Sequence, residues 1–159
     1  MITKIIKTIA KLTFVFAIVF GIYVIVNGHL TPGGGFQGGA ILATAFALLM
    51  IPFGFDSVRD HKSKFSALES IGLLMFIALA FLGMKIAFFD NFLADPVAYG
   101  PNPGALFSAG VIPLMNIAVG IEVLGALTLI LILMSKASED NLENTKRHSI
   151  VDDPKEEGR

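Results

Sequence analysis

Glu122 is the residue whose chemistry is hardest to ignore, because it stands in the middle of an apolar run from Val111 to Met134 that is otherwise uncharged. A charge at the centre of a bilayer costs about 3 kcal/mol on insertion scales, so an acidic side chain there is by default a functional candidate facing protein or water. A carboxylate so placed can pass a proton or hold a partly dehydrated cation. The structural alternative is a Glu that hydrogen-bonds a neighbouring subunit, and the residue type alone leaves both open. Lys85 lies near one end of a second apolar run, Phe65 to Phe89, about 6 Å inside it at ~1.5 Å per residue; its stem is long enough to carry the ammonium outward to the headgroups. Asn116 is nearer to Lys85 in height than Glu122 is. Glu69 lies close to the opposite end of the Phe65–Phe89 run, where water has access, and reads as an interfacial or early-turn charge, the weakest of the three charged candidates for an ion path or polar relay, which Asn116 joins as an uncharged one.

A second chemically suggestive segment is Asn27-Gly-His-Leu-Thr-Pro-Gly-Gly-Gly-Phe-Gln-Gly-Gly39, which holds six of the 16 glycines. Gly33, Gly35 and Gly38 have the spacing of a dinucleotide fingerprint, but that motif needs a strand before it and a helix after it within a βαβ unit. No such context surrounds it, and no Gly-Lys-Ser/Thr follows to make a phosphate loop. The surviving reading is steric: glycines allow positive φ and close approach, while Pro32 restricts Thr31 to extended geometry. A tight, non-helical hairpin is expected, and at membrane depth such backbone needs cover from protein or a watery cavity. Gly34 with Gly38, and Gly35 with Gly39, stand four apart and would offer a smooth face to another helix. A turn followed by helix packing is the plain reading; contact of His29 or the bare amides with an ion path is the functional one.

The elements that must position these residues follow from charge and hydropathy. Hydrophobic residues make up 54% of the 159 and charged residues only 16%, with a mean hydropathy of +0.73, which is far from a soluble domain's balance. From Leu12 to Phe55 there is no Asp, Glu, Lys or Arg, a stretch long enough for two crossings of roughly 20 residues each and a turn. The expectation is an all-α integral membrane fold of four transmembrane helices, with spans at about 5–26, 38–55, 65–89 and 111–134. Residues 1–135 form the membrane domain and 136–159 a polar tail, read as mobile or as a short surface helix.

Lys and Arg are retained on the cytoplasmic side of membranes. Lys4, Lys7 and Lys11 precede the first span and Arg59, Lys62 and Lys64 lie between the second and third, while the other two loops have none. Both termini are therefore expected in the cytoplasm, in a multi-pass protein of the cell membrane. The basic start and apolar run resemble a signal peptide, but no small-residue cleavage site follows Val26, so a retained anchor is expected. The absence of cysteine excludes disulfides, iron–sulfur clusters and thiol catalysis within the chain. His29, His61 and His148 fall in loops or the tail, which disfavours a bis-histidine haem. The net charge of −1 gives no reason to expect nucleic acid as a partner.

The string Gly28-His29, Pro32-Gly33-Gly34-Gly35-Phe36 and Gly38-Gly39, between two apolar helices, resembles the signature of the MnhB/MrpB family, small subunits of the Mrp-type multisubunit sodium/proton antiporter. The resemblance spans about residues 10 to 134. It implies an accessory, non-catalytic membrane subunit of a complex that exchanges Na⁺ for H⁺. Its partners would be other Mrp-type membrane subunits, including large antiporter-like subunits similar to those of respiratory complex I that hold the principal ion-translocating residues. Bacterial members carry a stretch like Thr-Pro-Leu-Leu-Phe-Asp-x-Gly-Val before the last helix, whereas here the sequence is Ile112-Pro-Leu-Met-Asn116-Ile-Ala-Val-Gly120, with Asn116 in the acidic place. In this it is similar to relatives within archaeal membrane-bound hydrogenase or sulfur-reducing complexes. No cofactor is expected in this chain, and iron–sulfur or nickel–iron centres would belong to the partner module. Two other readings compete: a scaffold that never touches an ion, and a stand-alone homodimeric transporter. The latter has little support, because small multidrug exporters carry their Glu on the first helix and this first helix has no carboxylate.

Overall fold

A computed structural model describes residues 4–54, 56–84, 89–91, 93 and 109–152, which are helices and turns. The helices are α1 (Lys4–Val26), α2 (Gly35–Phe53), the single turn α3 (Asp56–Arg59), α4 (Lys62–Leu82) and α5 (Ile112–Asp152). Four of them, all but α3, are long and apolar enough to cross a membrane. The chain is a multi-pass membrane protein, and its surface says so independently. The buried set is dominated by small side chains, Ala10, Ala43, Ala45, Ala80 and Ala118 among them, while Phe16, Phe20, Ile51, Leu74 and Phe81 are exposed. A bundle in lipid gains little by hiding large apolar groups and much by letting small ones bring backbones together.

The ends of the helices have local causes. After Val26, backbone N–H groups of Leu30 and Thr31 turn back on the Asn27 carbonyl at 2.9 and 3.0 Å; Gly33 then takes φ +147°, a conformation side chains rarely adopt, and α2 starts at Gly35. In α2, Pro52 removes one backbone donor and Gly54, at φ +84°, closes the helix by donating to the Met50 carbonyl. Hydropathy alone carried the third span to residue 89, but α4 stops at Leu82. There Gly83 donates back to Leu79 and Phe89 to Ala80, so the chain folds against the helix end and Phe89 sets its ring 5.4 Å from that of Phe76. Asn91 clasps the start of α5, donating to the Ala109 carbonyl at 3.1 Å and accepting from the Val111 N–H at 2.8 Å.

The helices lie side by side in the order α1, α2, α5, α4, with α1 also touching α5 but having little contact with α4. Three adjacent pairs make this an arc with α5 and α2 inside it. At one end an apolar cluster of Met50, Val58, Phe65 and Ile132 joins α2, α3, α4 and α5. From that same end α5 continues as helix past the apolar run, 41 residues in all. The polar segment from 136 onward is thus helix to Asp152 rather than a separate element. No glycine or proline interrupts residues 126–152, Arg147 pairs with Glu143 one turn earlier at 2.9 Å, and Glu139 reaches Arg59 of α3 at 3.6 Å.

Continuity of α5 can be tested with Ala137→Pro. A proline inside a helix costs about 3 kcal/mol, so hydrogen–deuterium exchange of the detergent-solubilised chain should accelerate sharply over residues 138–147 and stay unchanged over 112–130. Equal exchange in both proteins would mean that the helix already breaks before 137.

Candidate functional site

Glycines on three helices let backbones meet α5, and the candidate residues sit at those meetings. Gly35 packs on the Asn116 carbonyl and Val119, and Gly39 on the Gly120 carbonyl and Val123, so α2 and α5 run in the same direction with one face of α2 reserved for α5. Gly38 points the other way, against Ile25 and the Gly21 carbonyl of α1. Of the two glycine pairs expected to offer smooth faces, Gly35 with Gly39 lies wholly on α5 of this same chain, while Gly34 faces Asn116 of α5 and Gly38 faces α1.

At the next level α4 crosses α5 twice. A β-carbon on Gly72 would stand 2.5 Å from the Glu122 backbone nitrogen and 2.8 Å from the Ala118 carbonyl. One on Gly125 would stand 2.6 Å from the Glu69 nitrogen and 2.7 Å from the Phe65 carbonyl. The arrangement is reciprocal: α4 and α5 are antiparallel, each carries Glu-x-x-Gly, and the Glu turn of one seats on the Gly of the other. Glu69 and Glu122 thus lie on adjoining turns, about 4.5 Å apart along the axes given three residues at ~1.5 Å each. Both side chains' residues are half-buried. Among the described residues neither carboxylate has a hydrogen bond or ion pair.

The end of the bundle at the Gly-rich connection holds a further set of polar groups. The Asn116 amide lies against it, with Nδ2 3.0 Å from a β-carbon position at Gly28 and Oδ1 3.7 Å from that at Gly34. Both ring nitrogens of His29 are buried without a partner among the described residues. The same holds for Thr128 Oγ1 on a fully buried residue of α5. Pro32, Gly33 and Phe36 are exposed. Lys85 lies outside the described residues, so its height relative to Asn116 and Glu122 is not seen. Among the described residues no three His, Asp or Glu side chains cluster in a way that could hold a metal.

The structure thus unites Glu69 with Glu122 and Asn116 with the Gly28–Gly35 connection. Sequence reasoning set Glu69 apart as an end residue and overlooked Gly72 and Gly125. The signal was present in the shared spacing: Glu69-Ser-Ile-Gly72 and Glu122-Val-Leu-Gly125 each place a notch three residues after a membrane-embedded acid.

Residues 5–129 match the family described as a domain related to the MnhB subunit of Na⁺/H⁺ antiporter. An uncharacterised protein of Methanocaldococcus jannaschii is 41% identical over 137 residues, 84% of this chain and 52% of its own length. The protein named antiporter subunit mnhB2 in Staphylococcus epidermidis is 36% identical over 81 residues, 50% of this chain and 57% of its own. A chain of the membrane-bound sulfane sulfur reductase, an archaeal respiratory membrane complex, has the same arrangement with a TM-score of 0.65 and 34% identity, over 83% of this chain and 57% of that one. The present chain spans about half the length of the curated relatives it matches.

The crossings make opposite demands on glycine and glutamate. Gly72→Val and Gly125→Val should each destabilise the detergent-solubilised chain by about 1–3 kcal/mol through overpacking. Glu69→Gln and Glu122→Gln should stay within about 0.5 kcal/mol, since neither carboxylate has a partner among the described residues to lose. Denaturation by a graded anionic detergent measures both; a Gln variant as damaging as the Val variants would show that the acid is a packing element.

Proposed function

The chain belongs to the family of domains related to the MnhB subunit of Na⁺/H⁺ antiporters, and from that premise we propose that it is an accessory subunit of a Mrp-type multisubunit antiporter module. Its role is to help assemble and line the ion-translocation region, while larger antiporter-like neighbours carry the main translocating groups. The likeness to a chain of the sulfane sulfur reductase complex, together with Asn116 in place of an acid, supports a module coupled to an electron-transfer partner. Redox centres then belong to that partner. The lysine distribution supports an orientation with both ends of residues 1–159 on the cytoplasmic side, residues 1–135 being the membrane unit.

The observation that carries an ion-lining role is the reciprocal Glu-x-x-Gly crossing. Two half-buried acids on adjoining turns of an apolar bundle have no partner among the described residues, and a buried polar group without a partner is costly. Such groups persist where something outside the helix pair completes them: a neighbouring subunit's polar chain, water, or a passing cation. Carboxylate oxygens are suited both to accept a proton and to replace part of the hydration shell of a hard cation. Glu122 has the principal role and Glu69, one turn away, extends the polar surface. Asn116, His29 and Thr128 contribute further hydrogen-bonding groups at other heights along the bundle, and Lys85 is assigned an electrostatic role from its place in the sequence.

In membrane vesicles containing the assembled complex, Glu122→Gln should reduce Na⁺-dependent proton exchange at least tenfold, and Glu69→Gln by a smaller factor. Subunit content must be measured on the same vesicles, because loss of assembly would mimic loss of transport. Full exchange by a fully assembled double variant would leave a scaffold role and remove the ion-lining one.

A further inference from the structure

At the lysine-bearing end of the arc the helices leave a recess of about 800 Å³, within the ~300–1,000 Å³ of ligand sites, between α1, α2 and α4. Its walls are apolar: Phe14, Phe46, Leu49 and Phe65 face it. The rings are fixed by edge-to-face contacts, Phe14 with Phe46 at 5.5 Å and Phe46 with Phe65 at 5.2 Å. Its charged lining is of one sign. Lys11 and Lys64 border it, with His61 beside them and no carboxylate among the described residues. The Lys7 and Lys11 ammonium groups stand 5.6 and 5.3 Å from the centroid of the Phe53 ring, which also borders it. The acid on the nearby α5 extension, Glu139, is engaged with Arg59 instead.

We propose that this recess is a specific site for an anionic phospholipid, with acyl chain against the phenylalanines and phosphate between Lys11 and Lys64. Charge complementarity selects the occupant: an apolar floor with cations only at its headgroup edge is the mirror of an amphiphile bearing a negative head. A helix of a neighbouring subunit fits less well, because the recess takes in only Lys11–Val15 of α1, whereas a crossing helix needs a groove along the whole span. Cations near a membrane surface favour anionic lipid by about fivefold each, so two lysines give a preference of at least fivefold over a zwitterionic lipid. The inference does not depend on the ion-lining role of Glu122.

The chain contains no tryptophan, so Phe53→Trp supplies a single reporter at the recess. The full chain in phosphatidylcholine vesicles would be titrated with phosphatidylglycerol or phosphatidylcholine carrying brominated acyl chains, and quenching read as relative association. At Phe53→Trp, phosphatidylglycerol should be favoured at least fivefold, and Lys11→Gln/Lys64→Gln should bring the ratio to about one. A reporter on the exposed face of α4, Leu74→Trp, should give about one in both backgrounds, and unchanged helical circular dichroism and thermal unfolding of the double variant show that it is folded. A ratio near one at Phe53→Trp, or a preference that survives the double substitution, overturns the proposal and leaves the recess to a helix of a neighbouring subunit.

Discussion

Everything in this bundle depends on backbone meeting backbone at α5. Hydrocarbon tails are as apolar as leucine, so helices in a membrane are not driven together by burying large side chains; they associate where small residues allow dense packing and where polar groups find partners. α5 receives Gly35 and Gly39 from α2, presents its own Gly120 to Ile25 of α1, and exchanges Gly72 for Gly125 with α4. These contacts fix the axial register of all four long helices. A single added methyl at any of them would meet main-chain or Cβ atoms, or a short branched side chain, below 3 Å.

That register is what gives the acidic residues their meaning. Because the Glu turn of each helix is the one that seats on the other's glycine, Glu69 and Glu122 cannot drift apart without undoing the α4–α5 contact. Positioning two acids within a turn of each other is thus a consequence of that geometry, and among the described residues no counter-group stands with them.

Much of this was legible in the sequence, and the exceptions have physical causes. The charge-free stretch from Leu12 to Phe55 and the isolated Glu122 fix the number of spans, because lipid admits few charges whatever the packing. The glycine string identifies the family without giving its geometry: its cover comes from α5 and α1 of the same chain, and the α5 contact is a long-range one that local spacing does not encode. Hydropathy misjudged where α4 ends, since Gly83, Met84 and Phe89 donate hydrogen bonds back to its last turn, and hydropathy does not distinguish helix from the chain that caps it. Polarity likewise made 136 onward look like a tail, although Ala137, Glu139, Glu143 and Lys146 are good helix formers. The pairing of Glu69 with Glu122 needed the antiparallel register of α4 on α5, which only tertiary contact supplies.

The unbroken course of α5 has a mechanical corollary. From Glu122 to Asp152 the helix extends about 45 Å at ~1.5 Å per residue, with its fulcrum at the Gly72 and Gly125 notches. A tilt of about 5° at that fulcrum would sweep the far end through about 4 Å over such a length. The helix is a lever whose fulcrum lies beside the two acids, whose short arm runs back to Asn116 and Ile112 and whose long arm reaches beyond the bundle, so a small displacement at either end is geometrically tied to one at the other.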